Sequence, residues 1–314
     1  MKKRIYIAGA GGMLGEAFYR IFKDNYDVKC TDKDVNDTWL DFLDFRNFEA
    51  YKKDVELFGA DYLFHLGAHT DLEYCELNQD DAYATNTTAV ENAVFIANKL
   101  GIPILYISTA GIFDGEKDFY DDWDEPNPLG HYARSKYMGE RYVRENAKKF
   151  IICRAGWMMG GGPEKDKKFI NKLIKQIAAG KRDLYIVNDK DGTPTFTVDF
   201  AKNVKLLLER EYWGLYNMVC GGETSRFEVA EELIKILGLQ DEVTFHDVPS
   251  SYFEDTYFAP RPPSERLVNR KLELRNINMM RDWRIALKEY VDTYYTDYLK
   301  EKNIYTAKDK TVTL

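Results

Sequence analysis

Tyr132 and Lys136 stand four residues apart in "GHYARSKYMGERYV", residues 130–143. On a helix that spacing puts both side chains on one face. A nearby ammonium favours the phenolate and lowers a phenol's pKa, so such a pair can exchange a proton with a carbonyl or hydroxyl. Beside a nicotinamide, that proton would move as hydride moves. The spacing alone is a weak signal, because tyrosine and lysine four apart are common on solvent-facing helices. Placement adds weight: a glycine-rich stretch lies upstream, and "YISTAG" closes an apolar run just before this helix. In open α/β sheets, ligands bind at the carboxyl ends of the strands.

The glycine-rich stretch is "RIYIAGAGGMLGEAF", with Gly9, Gly12 and Gly15 directly after the first apolar run. Met13 and Leu14 then open a helix whose free N–H groups would face an anion, and the glycines let a pyrophosphate approach the backbone. The second run ends in "CTDKD". Asp32 stands where a carboxylate would bond the adenosine ribose hydroxyls, which favours NAD(H); Lys33 beside it would suit the 2′-phosphate of NADP(H). The expectation is NAD(H) or NADP(H), leaning to NAD(H).

The elements that must hold these groups alternate. "RIYIAG", "YDVKCTD", "DYLFHLG", "IPILYIS" and "FIICRAG" are short, apolar and bounded by turn residues, as buried strands are. Helical stretches, Met13–Lys23, Asp80–Leu100 and His131–Lys149, lie between them. This alternation predicts an α/β protein with a Rossmann-type, doubly wound parallel sheet. Residues 1–160 would form the NAD(P)-binding domain, its sheet completed from within 181–220. Residues 161–314 would form mainly a discontinuous substrate-binding lobe, because a helix over Val198–Glu209 would return to the sheet. The polar end, "EKNIYTAKDKTVTL", is expected to be loosely held.

Net charge is −8, and no basic footprint for nucleic acid is present. No apolar run approaches the ~18 residues a membrane span needs, and the N-terminus lacks the apolar core of a signal peptide. Cys30, Cys75, Cys153 and Cys220 are widely spaced, as buried reduced thiols of a cytoplasmic protein would be. His65, His69, His131 and His246 show no ligand spacing, so no metal is expected; His69 is noted as a pocket residue.

Several motifs in order, Gly9-x-x-Gly12-x-x-Gly15, "LGAHTDLEYCE", "ISTAGIFDG", "YARSKYMGE", "CRAGWMMG", "DGTPTFTVDFA" and "RPPSERL", resemble an extended short-chain dehydrogenase/reductase. They are most similar to the dTDP-4-dehydrorhamnose reductase (RmlD-like) family. The resemblance implies NAD(P)H-dependent reduction of a nucleotide-linked 4-keto-6-deoxy sugar. Tyr132 would be the proton donor, and Lys136 would tune it and hold the nicotinamide ribose. Thr109 would hydrogen-bond the substrate oxygen, and Asn86 would stand near a water relay. Gly67 and Ala68 would line the cofactor groove, and Asp41 and Phe42 in "LDFLD" would contact adenine. Trp157 would pack against the sugar and Arg261 would lie near the sugar-nucleotide phosphates. A homodimer is also expected.

The sequence departs from this family where Ala110 and Gly111 replace an Asp-Tyr pair, which removes a carboxylate and a ring beside the substrate. The same change argues against a 4,6-dehydratase, which needs acid and base there. Two alternatives stay open: a 4-epimerase with tightly bound NAD, and a non-catalytic NAD(P)-binding regulatory subunit on the same fold. The lysines at 165, 167, 168, 172 and 175 read as the wet face of a helix buried through Phe169, Leu173 and Ile177.

Overall fold

The structure is a computed structural model and describes residues 2–302 and 304; most of the polar C-terminal end lies outside the described residues. Arg4–Ala8 (β1) leads into Met13–Phe22 (α1), Asp27–Asp32 (β2), Leu40–Phe42 (β3), Phe48–Phe58 (α2) and Tyr62–His65 (β4). Next come Leu72–Leu77 (α3), Gln79–Tyr83 (α4), a π-helical turn at Ala84–Thr88, and Ala89–Leu100 (α5). Ile104–Thr109 (β5), His131–Asn146 (α6) and Phe150–Ala155 (β6) follow. Then come Trp157–Met159 (β7), Gly162–Lys165 (α7), Phe169–Ala178 (α8), Asp183–Val187 (β8), Asp191–Gly192 (β9), Pro194–Phe196 (β10), Thr197–Glu209 (α9) and Gly214–Asn217 (β11). The chain closes through Thr224–Ser225 (β12), Arg226–Leu237 (α10), Thr244–Val248 (β13), Ser264–Glu265 (β14), Arg270–Leu274 (α11), Trp283–Tyr294 (α12) and Thr296–Glu301 (α13).

Seven strands form one parallel sheet in the order β11-β6-β5-β4-β1-β2-β3. Its central strands are apolar on both sides because helices cover both faces. One face packs on α1 and α9: Phe18 lies 5.5 Å from the Phe64 ring and 6.3 Å from that of Phe200. Phe18 is fully buried, so truncating it to alanine would cost about 3–5 kcal/mol. The other face packs on α2, α5 and α6 through Tyr51, Val90, Val94 and Val143. Short strand pairs, β7 with β10, β8 with β13, and β9 between β12 and β14, build the smaller lobe beside this sheet. All four cysteines are buried and unpaired.

The one long helix expected over Asp80–Leu100 is divided. The turn at Ala84–Thr88 is π-helical, and it turns Thr85, Asn86 and Thr87 into the interior. Such single wide turns within a helix place a side chain inward that regular α geometry would carry past.

Candidate active site

β1 ends in Gly9, whose φ of 75° is a backbone shape that glycine adopts freely. A Cβ there would stand 2.2 Å from the Gly67 Cα, so the loops after β1 and β4 touch. Gly12, the N-cap of α1, has open space where a Cβ would be, and no side chain caps the helix. The first N–H groups of α1 are therefore open to an anion, and the bare backbone gives it room. Asp32 is held at the rim: its Oδ2 accepts from the Gly11 N–H (2.8 Å) and its Oδ1 from the Asp34 N–H (2.9 Å). These features fit a dinucleotide with its pyrophosphate on α1 and its ribose by Asp32.

They open into a cleft of about 1640 Å³ that also includes Gly67, Ala68, His69, Thr109, Tyr132, Lys136, Trp157 and Arg261. The volume exceeds the ~300–1,000 Å³ of a small-ligand pocket and suits two ligands end to end. Thr109 ends β5 and Tyr132 is the second residue of α6. The Thr109 hydroxyl and the Tyr132 ring border the same space at Gly111, and the hydroxyl draws the phenol's pKa down. Burial works against this with the larger effect, and Glu265 adds negative charge nearby, so the phenol titrates well above its ordinary value. Lys136 is 4% exposed, and burial pulls its amine down to about 7 against the opposing charge of Glu140. Its Nζ donates to the Ile107 carbonyl at 2.7 Å and lies 4.3 Å from the Tyr106 ring centre. The ammonium thus faces the strand, and its effect on the phenol is not the direct coupling that four-residue spacing suggests.

The first turn of α6 is held from several sides. Gly130 caps it without a side chain, and Glu76 Oε1 accepts from the His131 N–H at 2.6 Å in its stead. Asn86 Oδ1 accepts from the His69 N–H (2.8 Å), while its Nδ2 donates to the His69 carbonyl (3.0 Å) and to Ser135 Oγ (3.1 Å). Ser135 Oγ in turn donates to the Tyr132 carbonyl at 2.9 Å. Asn86 is fully buried and its amide protons are all engaged, so it ties the loop after β4 to the helix carrying Tyr132 and does not face the cleft.

Two further sequence-derived positions fall elsewhere. Asp41 and Phe42 lie on the edge strand β3, outside the cleft: Phe42 is 73% exposed and Asp41 faces Lys29 at 3.7 Å. Asp44, Phe45 and Arg46 line the cleft instead. "LDFLDF" carries Asp-Phe twice, three residues apart, and the second pair follows the turn out of the strand. Arg261 reaches the cleft but is neutralised, with Nη1 2.8 Å from Glu73 Oε1 and Nη2 donating to Glu73 Oε2 at 2.9 Å. Arg226 supplies the less committed cation. Its guanidinium lies 3.7 Å from the Trp157 ring centre, and burial lowers its pKa to about 10. Nothing in the sequence around Arg226 signals this role, since it merely follows the helix cap Ser225. Among the described residues no group of three His, Cys, Asp or Glu could hold a metal ion.

The family model for the RmlD substrate binding domain matches residues 2–296. The chain belongs to the RmlD family of extended short-chain dehydrogenases/reductases. An RmlD relative, the dTDP-4-dehydrorhamnose reductase of Mycobacterium tuberculosis, is 29% identical over 91% of this chain and 91% of its own length. A dTDP-4-dehydrorhamnose reductase structure from Clostridium acetobutylicum is 32% identical with a TM-score of 0.82, covering 92% of this chain and 98% of that one. One from Bacillus anthracis, solved in complex with NADP, is 26% identical with a TM-score of 0.85, covering 93% and 99%. The Rossmann-type fold expected from the alternating strands and helices is thus that of the RmlD family.

Proposed function

We propose that the chain reduces a nucleotide-linked 4-keto-6-deoxy sugar at the expense of NAD(P)H. The observation that carries this is that Thr109 and Tyr132 border one spot at the carboxyl end of β5, in one cleft with the glycine loop. Bound reduced nicotinamide supplies the hydride. Thr109 and Tyr132 hold the ketone oxygen, and the Tyr132 phenol gives it a proton as negative charge develops. Burial keeps that phenol protonated, which suits a donor. An epimerase would need the phenolate first, and the same burial disfavours it. Lys136 holds the nicotinamide ribose, and Asn86 acts through Ser135 by fixing the turn that carries Tyr132. Trp157 packs on the sugar, and Arg226, with Arg261 behind it, faces the sugar-nucleotide phosphates. Asp41 and Phe42 have no part in this reading; Asp44 and Phe45 take the adenine end.

Residues 1–160 with β11 form the cofactor part, and most of the remainder forms the sugar-nucleotide part. Preference for NAD(H) is supported by the Asp32 carboxylate, which would repel a 2′-phosphate. Lys33 also lines the cleft, so specificity constants for NADH and NADPH are the check. The four unpaired cysteines support a cytoplasmic location, and exposed Phe95 and Met138 support a homodimer, which light scattering tests. The deciding experiment follows cofactor oxidation with nucleotide-linked 4-keto sugars. Tyr132→Phe should lower kcat by ~10²–10⁴ while cofactor binding stays intact. Interconversion of nucleotide sugars without net cofactor consumption would sink the reductase reading.

A further inference from the structure

Beside Thr109 and Tyr132 the cleft floor carries almost no side chain, because Ala110 and Gly111 follow the strand. A carboxylate from the other lobe occupies that place. A Cβ on Gly111 would stand 3.2 Å from Glu265 Oε1, 3.6 Å from Thr109 Oγ1 and 3.9 Å from Tyr132 Cε1, so these three groups border one spot. Glu265 sits on β14, which pairs with β9 at Gly192, and a Cβ on Gly192 would strike the Trp157 ring at 2.2 Å. The ring therefore lies flat on that backbone, and its Nε1 donates to Glu265 Oε2 at 2.7 Å. This bond aims the carboxylate and leaves Oε1 with no hydrogen bond from any described residue. Arg226, stacked on the same ring, offsets part of the carboxylate's charge.

We propose that Glu265 determines substrate specificity by accepting a hydrogen bond, through Oε1, from a hydroxyl on the ring carbon next to the ketone. A carboxylate whose second oxygen is already satisfied by an indole N–H is fixed in orientation, and its free oxygen calls for a donor. The ligand it fits is a keto sugar keeping its neighbouring hydroxyl. A sugar with a carboxylate there would be repelled, and one lacking the hydroxyl would leave Oε1 unpaired in a partly closed site. This assignment rests on the reductase reading for the identity of the ketone, and its geometry stands apart from it.

The test compares a nucleotide-linked 4-keto-6-deoxy sugar with its 3-deoxy counterpart, in wild type, Glu265→Gln and Glu265→Ala. Wild type should favour the hydroxylated ketone by ~10–100-fold in kcat/KM, and Glu265→Ala should bring the two within about 2-fold. The loss should fall on the hydroxylated ketone alone. Removing the charge beside Tyr132 should also move the alkaline limb of the pH profile to lower pH, which a merely structural role would not do. A preference that survives in Glu265→Ala, or an equal loss for both ketones, overturns the assignment. Calorimetric binding of the two corresponding alcohols gives the same ratio without turnover. Preserved discrimination in binding with no reduction would sink the reductase reading while upholding Glu265. Equal binding of both alcohols by wild type would sink Glu265.

Discussion

Lys136 holds an amine where the unfolded chain would leave it in water. Its pKa of about 7 in the fold against 10.5 otherwise means that between those values the unfolded chain binds more protons. Stability from this group therefore rises with pH across that window, and below it the buried amine is charged and costs the most. In cofactor-free protein, Lys136→Met should remove that dependence. Urea melts stepped from about 7 to 10.5 should show wild type gaining on the variant, by up to a few kcal/mol. Parallel curves would mean the amine is solvated. The spacing of Tyr132 and Lys136 made the pair visible in the sequence. The direction of the ammonium was not visible, because the Ile107 carbonyl that receives it comes from a strand nearly thirty residues away.

Helix α6 is placed by close approach as much as by hydrogen bonds. A Cβ on Gly139 would meet the Asn86 carbonyl oxygen at 2.6 Å and the Tyr106 hydroxyl at 2.8 Å, so the helix lies directly on the π-helical turn. One residue on, Glu140 makes a two-point pair with Arg154 of β6, at 3.0 and 2.7 Å, both side chains at most 1% exposed. Gly139→Val should push α6 away, costing about 1–3 kcal/mol by overpacking. The shift would carry Tyr132 with it and lower kcat by up to ~100-fold. Thermal melts and steady-state rates check both, and an unchanged kcat would show that the turn tolerates movement. The strands and long helices were legible because apolar runs and periodicity are local. The π turn was not, since "YATNTTAV" reads as ordinary helix until Asn86 has a loop and a serine to tie. Asp41 and Phe42 lie outside the cleft for a related reason: a repeated dipeptide has two registers, and the end of β3 decides which one lines it.

Across the molecule, the segment following β7 joins the two banks of the cofactor crevice. Lys165 Nζ donates to the Gly11 carbonyl (3.2 Å) and Asn36 Oδ1 (2.9 Å) and pairs with Asp37 (2.6 Å). Lys168 Nζ donates to the Thr70 carbonyl (3.0 Å) and hydroxyl (3.1 Å) across the way. Between them Asp166 accepts from the buried Tyr290 hydroxyl at 2.7 Å. The sequence showed these lysines as one basic run on a wet helix face; three of them precede α8, and of these Lys165 and Lys168 serve as ties, which only the tertiary path decides. Lys165→Met should free one bank and raise cofactor dissociation by about 5-fold, the effect of one lost hydrogen bond of roughly 1 kcal/mol, read by stopped-flow fluorescence. An unchanged rate would mean that the crossing does not restrain the ligand. The sealed thiols have a consequence of another kind. Burial raises Cys30, Cys75 and Cys220 to about 12, and Cys153 higher still. An alkylating reagent can therefore mark each only when its own element opens. Distributed over β2, the short helix α3, the interior strand β6 and the stretch after β11, the four sulfurs make a built-in clock of local breathing. Mass spectrometry should find Cys75 tagged well before Cys153.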